Sequence, residues 1–284
     1  MTTASRRTWT YFLAALPAMG FLALQAWPLG RAVVSVTTDP EGHLTLAHIQ
    51  GVVTDSLFLR GLRFNLFIPL FSVAFEALIG LAMALWFYYL RRGKALWRTI
   101  AIVPFALPEI VYLLTAKLIF RQHGYLNSIL YRLSGEAAAV GWFQPQSILS
   151  AGVIILVDAW RVTPVVFLIV LMALEQMPDS YLEAARMDSA SRWQIIRLIQ
   201  IPLAVPALLV ALSLRAVDAF RIFATPFVLM GVEGMPVLTS VAYHYKMEAN
   251  DAVAANVAAL TLALALFTAT AATLLAAGKR GGSR

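Results

Sequence analysis

Long uncharged runs constrain this chain more than any other feature. Trp9 to Leu29 carries no charge, and neither does Ala252 to Gly278. Phe64 to Leu90 contains one, Glu76, and Thr99 to Phe120 contains Glu109 and Lys117. Ile148 to Leu174 contains Asp158 and Arg161, and Ile201 to Gly231 contains Arg215, Asp218 and Arg221. A helix needs about 20 mostly apolar residues to cross a hydrocarbon core roughly 30 Å thick. The pattern therefore predicts an all-α, polytopic membrane protein with six transmembrane helices at about 9–29, 64–90, 99–120, 148–174, 201–231 and 252–278. The first run is too long for a signal peptide and lacks a small-residue cleavage site, so it reads as an anchor. Residues 1–8 and 279–284 are then terminal tails around a transmembrane domain at 9–278.

Composition agrees. The 284 residues are 60% hydrophobic and 13% charged, about half the charge of an ordinary soluble domain. That argues against a disordered chain, a basic nucleic-acid binder and most soluble enzymes. The net charge of +7 fits topology better than polyanion binding, because surplus Lys and Arg collect on the cytoplasmic side of membrane proteins. Arg6 and Arg7 precede the first run. Arg91, Arg92, Lys94 and Arg98 fill the second loop, Arg186, Arg192 and Arg197 the fourth, and Lys279, Arg280 and Arg284 the tail. An even number of spans puts all of these on one side, so both termini are expected in the cytoplasm of a bacterial or archaeal cell. Cysteine is absent, which removes disulfides and thiolate chemistry. Trp9, Trp27, Trp97 and Trp142 fall near the expected interfaces, where aromatic belts are common. The four histidines, His43 and His48 among them, show no metal-ligand spacing.

The fourth loop looks folded. Met177-Pro178-Asp179-Ser180 stops one helix and opens another, and Ser180 with Glu183 fits a capping box, as does Ser191 with Gln194. A short helix over Tyr181–Met187 followed by a second one from Ser191 would make a rigid knob at the membrane face. An amphipathic helix lying on lipid headgroups is the plain alternative.

The run Glu183-Ala184-Ala185-Arg186-Met187-Asp188-Ser189-Ala190, followed by Ile201-Pro202-Leu203, resembles the EAA coupling loop of ABC-transporter permeases, here at about 176–203. Ser189 stands where that family has Gly, a residue that eases a left-handed turn. Leu214-Arg215-Ala216-Val217-Asp218-Ala219-Phe220-Arg221-Ile222-Phe223, Asp158-Ala159-Trp160 with Pro164, and Pro104, Pro108, Gly124 and Asn127 are similar to the sugar-type members, in particular the first permease of a maltose/trehalose pair. The ending Met230-Gly231-Val232-Glu233-Gly234-Met235-Pro236 is a looser match. The resemblance implies a type I importer permease fold. It implies ATPase coupling through Glu183, Ala184, Ala185, Asp188, Ser189 and Ala190. It also implies, as partners, a second permease, two ATPase subunits that bind ATP and Mg, and an extracytoplasmic sugar-binding protein, all within membrane lipid and with no role for nucleic acid.

Ionisable groups inside a span are costly and usually face a cavity or a partner. Asp158 and Arg161, Arg215 and Asp218, and Asp218 and Arg221 are each three residues apart, so each pair shares a helix face. They are either ionic staples within one helix or the lining of a polar cavity. On the cavity reading, Asp158, Asp218 and Arg221 contact a sugar such as a disaccharide, and Trp160 or Phe220 packs on its ring. Glu76 and Glu109 read as bonds to a neighbouring helix, and Lys117 as a snorkelling end residue. No phosphate-binding G-x-x-x-x-G-K-[ST], H-E-x-x-H or G-x-S-x-G occurs. No catalytic residue, metal ligand or cofactor of this chain's own is therefore expected. A permease for a non-sugar solute shares the loop signature. An ion-coupled carrier would predict inverted repeats, which the sequence does not show.

Overall fold

In a computed structural model the chain is described over residues 3–90, 92–135 and 140–281. Arg91 and Arg284 lie outside the described residues, as do the side chains of Arg6, Arg7, Trp9, Lys279 and Arg280. The described residues are helical, apart from loops and one isolated bridge between Thr38 and Leu44. In order the helices are α1 (Thr3–Thr37), α2 (Ala47–Thr54), α3 (Ser56–Tyr89), α4 (Lys94–Ala106), α5 (Glu109–Phe120), α6 (Tyr125–Ser134) and α7 (Ile148–Glu175). They continue as α8 (Asp179–Met187), α9 (Arg192–Ile195), a π turn (Ile196–Gln200), α10 (Ile201–Phe220), α11 (Ala224–Gly234), α12 (Leu238–Met247) and α13 (Ala252–Gly281).

Among the described residues, α3, α7 and the length from α9 through α11 are long and apolar enough to cross a membrane. The third apolar run does not form one straight rod. α4 and the α5–α6 length meet at 91°, because Pro108 has no N–H to continue a helix and forces the residue before it out of the helical region. Leu107 accordingly sits at φ −71°, ψ 138°.

The α3 and α7 helices form the central pair, and α10 packs on both. They approach closely at Gly80, where a Cβ would lie 2.8 Å from Val166 Cγ1 and 3.2 Å from the Phe167 nitrogen. Toward one end Phe87 stacks edge-on to Phe167 with centroids 4.7 Å apart, within a cluster that includes Val170, Leu171, Leu174 and Ala211. At the opposite end Phe58 of α3 packs with Leu238, Val241 and Tyr245 of α12 and Ala254 and Ala258 of α13. Asp55 ties this corner together. Its carboxylate caps α3 by accepting from the Leu57 N–H at 3.0 Å, and it also accepts from the Tyr245 hydroxyl. Burial, with the neighbouring carboxylate, raises the Tyr245 phenol above its ordinary pKa.

The fourth loop is a folded knob. Leu182 and Ala185 of α8, Ile195 of α9 and Met177 form a small core, with Tyr88 at the end of α3 packed against it. Ser191 and Gln194 form the expected capping box, Gln194 Oε1 accepting from the Ser191 N–H at 2.8 Å and Ser191 Oγ from the Gln194 N–H at 3.3 Å. The Ser180–Glu183 box does not form: Pro178 precedes α8, so the helix begins at Asp179 and Ser180 lies inside it. The C-terminus of α8 closes as a Schellman motif. The Ala190 N–H donates to the Ala185 carbonyl at 2.9 Å and the Ser189 N–H to Arg186 at 3.0 Å. Ser189 supplies the left-handed residue of that motif at φ +56°.

The knob joins α10 through the π turn. Pro202 lacks an N–H, and its ring would crowd the carbonyl four residues back, so the backbone widens before it. Gln200 in that turn is fully buried, accepting from the Tyr89 hydroxyl at 2.9 Å. Arg98 and Lys94 at the start of α4 both pair with Glu175 at the end of α7, Lys94 at 3.6 Å. The second and fourth loops therefore lie at one end of the bundle.

Candidate functional site

Halfway along the bundle a cavity of about 390 Å³ opens between α5, α7, α10 and the start of α11. Its polar wall is formed by Glu109, Asp158, Arg161, Arg215, Asp218 and Arg221, and Phe105, Ile222 and Phe223 add apolar surface. The break between α10 and α11 shapes this wall. Arg221 leaves helical geometry at φ −92°, ψ 12° and Phe223 at φ −135°, ψ −60°. A broken helix orphans carbonyls, and two side chains from elsewhere satisfy them. Asn65 of α3 donates to the Phe220 carbonyl at 3.3 Å while its own oxygen accepts from the Leu238 N–H at 3.1 Å. The Thr239 hydroxyl donates to the Ile222 carbonyl, whose helical donor would have been residue 226, a proline. Asn65, which is buried, and Thr239, which is half-buried, are the positioning residues that the sequence reading missed. Pro226, four residues after Ile222, was the signal that could have exposed the second.

Behind the cavity lies an ionic core that joins three helices. Arg215 Nε donates to Glu76 of α3 at 2.8 and 3.1 Å. Arg215 Nη2 donates to Asp158 of α7 at 2.5 Å. The Ser72 hydroxyl donates to Asp158 at 2.7 Å and lies 3.1 Å from Glu76. All four are buried. The intrahelical staples are therefore corrected: among the described residues, none of Asp158–Arg161, Arg215–Asp218 and Asp218–Arg221 is an ion pair. Interhelical pairing prevails because the packing of α3, α7 and α10 brings the Glu76 and Asp158 carboxylates together onto the one buried guanidinium of Arg215.

Arg161 instead lies over the Tyr112 ring at 5.2 Å and reaches Glu109 at 4.0 Å. The Tyr112 hydroxyl is 3.2 Å from Thr225 Oγ1, which ties α5 to α11. Lys117 does not simply snorkel: its Nζ donates to the Val228 carbonyl at 3.0 Å.

The cavity thus gathers Asp158, Asp218 and Arg221, and it leaves out the two aromatic residues expected with them. Residues at i, i+3 and i+4 share a helix face, whereas i+2 points away. Asp158, Arg161 and Val162 therefore line the wall while Trp160 is half exposed elsewhere. Phe220 likewise falls two residues past Asp218 and is not in the wall; the rings that are belong to Phe105 and Phe223. At the knob, Glu183, Ala184, Asp188 and Ser189 are exposed, Ala185 is buried and Ala190 is half-buried. Tyr181, Met187 and Trp193 leave apolar surface beside them.

Residues 76–280 match the family model described as binding-protein-dependent transport system inner membrane component. The chain is 30% identical over 235 residues to the trehalose transport system permease protein SugA of Mycobacterium tuberculosis, covering 80% of this chain and 74% of that protein. It is 33% identical over 200 residues to the trehalose/maltose transport system permease protein MalF of Thermococcus litoralis, covering 69% and 66% respectively. In fold it is similar to a chain of a bacterial ABC transporter that imports the acidic polysaccharide alginate, with a TM-score of 0.84, 17% identity and 98% of each chain covered.

Proposed function

The chain belongs to the family of binding-protein-dependent transport system inner membrane components, ABC permease subunits without an ATPase of their own, and from that premise we propose that it forms part of the path for a neutral sugar in an ATP-driven importer. The observation that carries the proposal is the mid-bundle cavity. Asp218 and Arg221 stand in its wall without an ion-pair partner among the described residues. They offer a carboxylate and a guanidinium to adjacent sugar hydroxyls, which both donate and accept. Asp158 adds a third polar group, held in place by Arg215 and Ser72, and Phe223 offers a face for a sugar ring. The relatives named for trehalose and maltose favour a disaccharide of that size.

On this reading a second permease completes the path, and an extracytoplasmic binding protein delivers the sugar. Two ATPase subunits, which carry the ATP and Mg, dock on the exposed knob through Glu183 and Asp188 and the apolar surface of Met187 and Trp193. On the same reading both termini lie in the cytoplasm. Reconstituted complex in proteoliposomes tests the reading with labelled trehalose and maltose. Asp218→Asn should assemble normally and lower uptake by about tenfold, the loss of roughly one charged hydrogen bond. Glu183→Lys should leave ATP hydrolysis running without uptake. Wild-type uptake of either sugar by both variants would overturn the assignment.

A further inference from the structure

A second and larger cavity, about 640 Å³, lies at the end of the bundle opposite the knob. Four polar side chains line it from four separate segments: Arg60 near the start of α3, Gln146 in the loop before α7, Glu233 near the end of α11 and His244 on α12. Small-molecule sites place a few convergent polar groups in this way. Gln146 is held at φ +56°, a conformation that a side chain other than glycine adopts against its local preference. Its N–H is fixed to the Gly234 carbonyl at 2.9 Å, which keeps the residue in the cavity wall. His244 is oriented by Glu248 at 2.7 Å.

The chemistry of this lining is balanced. One guanidinium, one carboxylate, one amide and one imidazole supply donors and acceptors in similar number. An anion would meet Glu233 and a cation would meet Arg60, whereas hydroxyl groups satisfy both. The size lies within the range of small-molecule pockets. Thr225 at the start of α11 lines the inner cavity and Glu233 near its end lines the outer, with the helix broken between them at Gly231, which has φ 73° and ψ 177°.

We propose that the outer cavity is a second carbohydrate station, where a neutral sugar is held by its hydroxyls at Arg60, Gln146, Glu233 and His244 before it enters the inner pocket. The inference rests on the sugar-permease reading above. Its test is equilibrium dialysis of labelled trehalose and maltose against the intact complex in nanodiscs. Arg60→Ala should bind one sugar fewer per complex than the wild type, or weaken one site by about tenfold. Glu233→Ala, a change at an exposed position that leaves the core untouched, should do the same. Asp218→Asn should remove a different site, so that the double variant Glu233→Ala/Asp218→Asn loses two. Full occupancy in both Arg60→Ala and Glu233→Ala would overturn the outer station, and loss in Asp218→Asn alone would leave the sugar-permease reading standing. Absence of binding of either sugar by the wild type would overturn the choice of sugar for both cavities.

Discussion

Removing Arg215 should destabilise this protein more than any other single polar substitution in it. Arg215→Met keeps the volume of the stem and deletes the guanidinium that Glu76 and Asp158 share at 2.8 and 2.5 Å. Two carboxylates would then face each other in the middle of the helix bundle, with the Ser72 hydroxyl as their remaining donor. Breaking a buried ion pair by removing one partner costs about 3–5 kcal/mol, because it leaves charge uncompensated in a low dielectric. In a domain of this size that corresponds to a fall in unfolding midpoint on the order of 10 °C. Replacing the whole triad with apolar residues removes the charge as well as the pairing and is often near neutral. The triple variant Glu76→Met/Asp158→Leu/Arg215→Met should therefore recover most of the loss. Thermal unfolding of the detergent-solubilised complex, followed by size-exclusion fluorescence, measures both. A midpoint within 2 °C of wild type for Arg215→Met, or a triple variant no better than the single, would refute the reasoning.

Three smaller perturbations follow from the geometry. Ser189→Gly should raise the midpoint by relieving a left-handed residue, worth roughly 1 kcal/mol, with uptake unchanged; a lower midpoint would show that the Ser189 side chain contributes more than its backbone strain costs. Gly80→Ala should destabilise by about 1–3 kcal/mol, because the added methyl meets Val166 and the Phe167 backbone, and Val166→Ala in the same chain should restore part of the loss in a denaturation series. The Tyr245–Asp55 bond needs a protonated phenol, and its pKa is raised on folding. Its contribution is therefore complete below an unfolded phenol pKa of about 10 and is lost as pH rises through the higher folded value. Midpoints measured from about pH 8 to about pH 11 should fall more steeply in wild type than in Tyr245→Phe.

What was legible in the sequence divides by range. Local signals held where nothing nearby competed. The Ser191–Gln194 box is present, since it depends on residues within one turn, and Ser189 adopts the left-handed conformation that its family position suits to Gly. The Ser180–Glu183 box failed because α8 starts at Asp179 after Pro178, two residues before the expected Tyr181. The depth of Asp158 and Asp218 was readable from span length, and both do meet at one cavity. Their partners were not readable. Spacing along a helix favours Arg215 with Asp218, whereas the structure pairs Arg215 with residues 139 and 57 positions away, a choice made by how α3, α7 and α10 pack. The same limit hid Asn65 and Thr239, whose work is to satisfy carbonyls freed by a break in another helix.

The elbow at Leu107–Pro108 also says which way the subunit must stand among its neighbours. The last carbonyls of α4 have no helical donors beyond the bend, and lipid tails cannot supply any. Irregular backbone at membrane depth is stable only against water or another protein surface. Phe105 and Glu109, on either side of the elbow, both line the inner cavity. That flank of the molecule is therefore the one turned from the bilayer, toward a hydrated interior or an adjoining subunit. The exposed apolar side chains of α3, such as Leu70 and Leu78, are compatible with contact to acyl chains, which need no hydrogen bonds from the surface they cover.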